Sequence, residues 1–183
     1  MVENSAFGKA FISAGHSNTD PGACANGVRE SDIVLGFRNT LDFVLSARGI
    51  NFDADAYGDE NLPLAQTLKI MRDKKPAYSV ALEFHCNASA NASATGVEVL
   101  AGPANMKRAA QLSRMISDAL KIRDRGAKPE NAGQHSRLGF VREGGMIVEL
   151  FFISNRADLA AYTERKWDAA RAVANFIDLV TTQ

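Results

Sequence analysis

Of the three histidines in the chain, His16 follows a short apolar run that ends in Gly15, and His85 stands near the end of the run YSVALEFHC. Open α/β sheets hold their ligands just beyond the carboxyl ends of strands, so both imidazoles fall where chemistry is done. Two neutral imidazoles and one carboxylate are a recurrent donor set for catalytic zinc, which keeps a fourth position for water. Glu30, Glu83 and Glu149 are the acids to weigh for the carboxylate and for proton transfer. Each has an ordinary reading as well. Glu30 opens a helix, where the macrodipole favours an acid. Glu83 shares a strand face with His85 and suits the orientation of an imidazole, an ion pair or a solvent edge. Glu149 interrupts the apolar run MIVELFF, a costly place for a carboxylate unless it is paired, with Arg142 a candidate, or faces a site. The histidines themselves fit structural, hydrogen-bonded roles at strand ends. No HExxH is present, so only the fold can bring these residues together.

The elements that must do so alternate short apolar runs with periodic segments, the rhythm of an α/β fold. Lys9 to Ala14 reads as a first strand, and Glu30 to Arg48 as a helix with Ile33, Val34, Phe37, Leu41 and Val44 or Leu45 on its buried stripe, stopped by Gly49. Ile50 to Ala54 is a short strand, and about Pro63 to Asp73 a second helix that Pro76 prevents from continuing. In Tyr78 to Cys86, Val80, Leu82 and Phe84 alternate with Ala81, Glu83 and His85 on the other face. A loop at 87–95, a strand over Gly96 to Ala101 and a helix over about Ala104 to Ile122 follow. The polar, Gly-rich stretch from Arg123 to Glu143 reads as an irregular surface segment near a ligand groove. Met146 to Ile153 is the last central strand, and Asn155 with Asp158 resembles a cap for closing helices that run to about Val180.

Four blocks add a family resemblance: GHSNTDPGA at 15–23, Glu30 at the start of a helix, FHCNAS at 84–89 and MIVELFFISN at 146–155. In this order they resemble the N-acetylmuramoyl-L-alanine amidase type 3 family. The resemblance implies a single α/β domain with a central, twisted, mostly parallel sheet of about six strands flanked by helices and a zinc groove at the strand ends. It also implies one zinc ion per chain held by His16, Glu30 and His85, with Glu149 as the catalytic acid and base. The expected reaction is hydrolysis of the amide between N-acetylmuramic acid and L-alanine of peptidoglycan. Zinc would polarise the carbonyl and acidify a water, and Glu149 would take the proton and pass it to the leaving nitrogen. Asn87 matches the asparagine of H-x-N-A and would orient the zinc site or the substrate, a loop cap being its alternative. Arg142 matches an arginine ahead of the last strand and would bind a peptide carboxylate, a surface ion pair being its alternative. Glu83 stands where the family often has a small or hydroxyl residue, which leaves the groups around the ligands open. His135 matches no ligand motif.

Length and composition bound the rest. A chain of 183 residues with 46% hydrophobic content builds one good core, expected as one catalytic domain over 1–183 without a separate wall-binding module. With 21 Lys plus Arg against 21 Asp plus Glu, no global field draws it to nucleic acid or an anionic membrane. The first residues carry no signal-type or membrane-spanning apolar segment. Cys24 and Cys86, in no CxxC arrangement, suit free thiols, with a single bridge open for a protein that works outside the cytoplasm. The expectation is a monomer made in the cytoplasm that acts on wall or periplasmic peptidoglycan after release, as a phage or prophage endolysin does. The alternatives are an inactive wall-binding or phage structural module and a zinc peptidase cutting within the stem peptide.

Overall fold

A computed structural model describes residues 8–73, 78–132 and 138–182. Six strands form one sheet: β1 (Lys9–Ala14), β4 (Phe52–Ala54), β5 (Tyr78–Asn87), β6 (Val97–Ala101), β7 (Asp124–Pro129) and β8 (Met146–Phe152), in the order β4-β1-β5-β8-β6-β7. Every neighbouring pair is parallel except β6 with β8. The mostly parallel six-stranded α/β domain expected from sequence is what forms. A small antiparallel hairpin, β2 (Cys24–Ala25) with β3 (Val28–Arg29), precedes the first helix.

The two faces of the sheet are covered unequally, and this positions the site. On one face, three long helices, α1 (Glu30–Ala47), α3 (Met106–Leu120) and α5 (Arg156–Thr181), bury the main core against Ile12, Leu82, Phe84, Val99 and Val148. Helix α1 buries Val34, Phe37, Leu41, Val44 and Leu45, the stripe set by 3.6-residue periodicity, and ends where Gly49 takes a left-handed φ of 66°. On the other face, α2 (Leu64–Asp73) and the single-turn α4 (Gly139–Arg142) cover only Phe11, Ala81, Leu100 and Ile147. Two residues farther along the same face stand Ser13, Glu83, Glu149 and Glu98, beyond this short second layer. The carboxyl-terminal half of the central strands is thereby left for polar side chains.

The expected irregular segment from Arg123 to Glu143 needs correction. Its first part is the edge strand β7, paired in parallel with β6, and its end contains α4. The sequence DRGAKP lacks alternation and carries both glycine and proline, so its strand character comes from its neighbours rather than its own pattern. Ser113 of α3 donates its hydroxyl to Asp124 Oδ1 at 2.6 Å, and the Gly126 N–H donates to the same oxygen at 2.8 Å. The expected closing helices are one helix, α5, with a non-helical residue at Arg165. Its cap is Asn155, whose side chain accepts from the N–H groups of Ala157 and Asp158. Among the described residues no helix is long and apolar enough to cross a membrane.

Candidate active site

His16, Glu30 and His85 converge from a loop, a helix start and a strand. His16 lies just after β1 with a left-handed φ of 68°, a costly conformation for a residue with a side chain and one that recurs at functional sites. Glu30 is the first residue of α1 and is 4% exposed. His85 is near the end of β5. His16 Nε2 lies 2.8 Å and His85 Nδ1 3.1 Å from the same oxygen, Glu30 Oε1. These three residues form a group whose ligand atoms all lie within 4.8 Å of one another.

The backbone fixes Glu30 in turn. Its Oε1 accepts the Cys86 N–H at 2.8 Å and its Oε2 the Ala23 N–H at 2.9 Å. Burial alone would raise the Glu30 pKa, but the adjacent His16 and His85 imidazoles and the Cys86 N–H hold it well below the usual carboxylate range. Burial likewise works against the charged imidazoles. The hydrogen bonds and negative charge around them win, raising His16 and, more strongly, His85 above the ordinary histidine value.

Each imidazole has a second carboxylate behind it. His16 Nδ1 is 3.0 Å from Asp20 Oδ2, and His85 Nε2 is 3.2 Å from Glu83 Oε1. A neutral imidazole that donates outward to such a carboxylate turns its other nitrogen, as a lone pair, toward Glu30. The donor set therefore fits a metal ion. A further observation agrees: the buried His16 Nε2, despite its 2.8 Å approach to Glu30, lacks a hydrogen-bond partner among the described residues. Two glycines make room for the rings. A Cβ on Gly15 would collide with the His85 ring, and one on Gly22, where φ is 63°, with the His16 ring.

Glu149 completes the site from β8. It lies opposite His85 on one side and opposite Glu98 of β6 on the other. Its Oε2 is buried and has no hydrogen-bond partner among the described residues. Burial, opposed by His85 and reinforced by Glu30 and Glu98, pushes its carboxyl up to about 7, a poised value for proton transfer near neutral pH.

The other expected residues divide. Asn87 joins the site through Glu98, donating from Nδ2 to Oε1 at 2.7 Å, while its Oδ1 also caps the Ala88 N–H. Glu83 bonds the His85 ring at Nε2 and lies outside the His16–Glu30–His85 group. Arg142 is exposed on α4, ahead of the start of β8, and makes no hydrogen bond to a site residue among the described residues. His135 lies outside the described residues. Cys24 is exposed and Cys86 buried, and both are free thiols. Sequence reasoning missed Asp20, although it stands four residues after His16 inside a quoted block. It also missed the pair of Glu98 and Arg125, which only the β6–β7 pairing brings together.

Known proteins share the family and fold of this chain. Residues 11–178 match the model of the Amidase_3 family, N-acetylmuramoyl-L-alanine amidase. A solved structure from Neisseria meningitidis, assigned as an N-acetylmuramoyl-L-alanine amidase, is 39% identical, with a TM-score of 0.83 over 96% of each chain. The catalytic domain of the Paenibacillus polymyxa amidase CwlV shares the fold at 20% identity, with a TM-score of 0.82 over 96% of this chain and 99% of that one. The Bacillus subtilis amidase LytC is 27% identical over 94% of this chain, which spans 36% of LytC. With the match running across nearly all of the sheet and its helices, the chain belongs to the N-acetylmuramoyl-L-alanine amidase family of peptidoglycan-acting enzymes.

Proposed function

We propose that this enzyme is a zinc-dependent hydrolase of the amide joining the lactyl group of N-acetylmuramic acid to L-alanine. The observation that carries the metal is the convergence of His16 Nε2 and His85 Nδ1 on Glu30 Oε1, backed by Asp20 and Glu83. These three residues would hold the ion, which when bound polarises the scissile carbonyl and lowers the pKa of a water. Asp20 and Glu83 keep the imidazoles in the ligand tautomer. Glu149, beside His85, accepts the proton of the attacking water and gives it to the alanine nitrogen as the C–N bond breaks. Its pKa of about 7 suits both halves of that transfer.

The test is digestion of purified peptidoglycan by zinc-loaded protein, chelated protein and Glu149→Gln. New L-alanine amino termini without new reducing sugars are expected. Chelation should abolish their release, and Glu149→Gln should lower it about 100- to 10,000-fold with zinc still bound. New termini inside the stem peptide would instead make it a peptidase, binding without release would make it a wall-binding module, and full activity in Glu149→Gln would overturn the proton-transfer role.

A further inference from the structure

Arg125 is aimed by a break in strand register. In β7, Asp124 pairs with Val97 and Gly126 with Glu98, so Arg125 is the extra residue of a bulge, and Gly126 takes the left-handed φ of 73° that the bend requires. Bulges of this kind re-aim a side chain, and here the arginine reaches Glu98. Its Nε donates to Glu98 Oε2 at 2.7 Å, and its guanidinium carbon lies 4.8 Å from the centre of the Phe152 ring. Phe152 is 4% exposed and Glu98 9% exposed, so the charge is held by two buried supports.

These supports leave most of the guanidinium free. Only Nε is used. Among the described residues the two terminal amino groups have no hydrogen-bond partner, and the side chain remains 30% exposed. A planar guanidinium with its orientation fixed and its outer donors unused is the geometry that takes a carboxylate in a two-pronged hydrogen bond. A lysine could not reproduce it.

Its place relative to the reacting centre is defined by register. His85, Glu149, Glu98 and Gly126 lie in one row across β5, β8, β6 and β7. Arg125 therefore stands on the side of Glu149 away from the histidines. Strands lie about 4.8 Å apart, so one to two strand spacings amount to about 5–10 Å, the span of two or three extended residues. We infer that Arg125 is a specificity-determining residue that binds a free carboxylate of the stem peptide, on the residue that follows L-alanine. The peptide then runs toward the β6–β7 edge.

This rests on the amidase reading, and the experiment separates the two. Two synthetic muramoyl dipeptides are compared, identical except that the residue after L-alanine carries a free carboxylate or a carboxamide. Zinc-loaded wild type, Arg125→Gln and Arg125→Lys are assayed for kcat/KM on both. Wild type should favour the carboxylate about 10- to 100-fold, as expected for hydrogen bonds to a charged group. Arg125→Gln should abolish that preference through KM, and Arg125→Lys should retain only part of it. Equal losses on both substrates, or an unchanged preference, overturn the inference. Should wild type cleave neither substrate, the amidase reading fails. The inference is then decided by calorimetric binding of the free dipeptides, where loss of discrimination in Arg125→Gln supports it and its persistence overturns it.

Discussion

Glu149 faces His85 across two neighbouring parallel strands, and its buried Oε2 has no hydrogen-bond partner among the described residues. An ionised carboxylate in that setting is held at a cost to the fold. Burial raises its pKa to about 7 from an ordinary 4.5. The folded state thus keeps a proton that the unfolded chain releases. The stability contributed by this group is complete below about pH 4.5 and is lost as pH rises through about 7, a loss of about 3 kcal/mol at most. Urea denaturation of metal-free protein at pH 4.5 and 8 should show a smaller drop for Glu149→Gln than for wild type. Equal drops would remove Glu149 as the source.

On the zinc-dependent reading proposed above, the imidazoles should give metal binding a pH dependence of the opposite sense. Negative neighbours raise both histidines above their ordinary value, so protons compete with the metal over a correspondingly higher range. Zinc should bind more tightly at pH 8 than at 7, and at 7 than at 6, with protons released on binding. Asp20→Asn and Glu83→Gln should each weaken zinc about 10- to 100-fold by freeing the tautomer. Competition with a chelating dye measures this. Unchanged affinity in both variants would show that these carboxylates do not orient the rings.

Stability outside the His16–Glu30–His85 group depends on Asp158, which is 1% exposed. Its carboxylate accepts the Thr95 hydroxyl at 2.5 Å and the N–H groups of Gly96 at 3.0 Å and Phe152 at 3.1 Å, tying the 87–95 loop to the end of β8. Asp158→Ala strands two backbone donors and should cost about 2–4 kcal/mol in denaturant unfolding. Asn155→Ala, which removes the helix cap, should cost about 1 kcal/mol. A smaller loss in Asp158→Ala than in Asn155→Ala would contradict this ranking.

What the sequence disclosed depended on the range of the interactions involved. Lys9–Ala14 and the stripe of α1 are read directly because a two-residue or 3.6-residue period reports which face is buried. His16 and His85 were legible from their places at strand ends. Glu30 rested on resemblance, since a helix-opening acid is common and nothing local marks it as a ligand. Strand β7 was hidden because DRGAKP carries no alternation, and its pairing depends on Val97–Ala101, more than twenty positions away. The clamp on Arg125 was hidden for the same reason. Glu83 was visible beside His85, but only the 3.2 Å contact to Nε2 identifies it as that ring's partner.

Gly15 is packed directly against the ring of His85, a candidate metal ligand. Gly15 does not carry a positive φ, so alanine there meets no backbone strain, yet its Cβ would strike the His85 ring at Cε1, Nε2 and Nδ1. The ring is held between Glu30 and Glu83, both about 5% exposed, and has little freedom to retreat. Gly15→Ala must therefore move the imidazole away from Glu30 or push β5 from β1. The first displacement spoils the candidate metal site, and the second loosens the strand pairing that carries it. Gly27→Ala is the control: its Cβ would meet nothing within 4 Å, although its φ of 81° imposes a backbone penalty of its own. Zinc titration of folded protein should show Gly15→Ala weakened at least about tenfold and Gly27→Ala close to wild type, even with some loss of stability in the latter. Normal zinc affinity in Gly15→Ala would mean that the His85 ring does not need the position that the strand contact gives it.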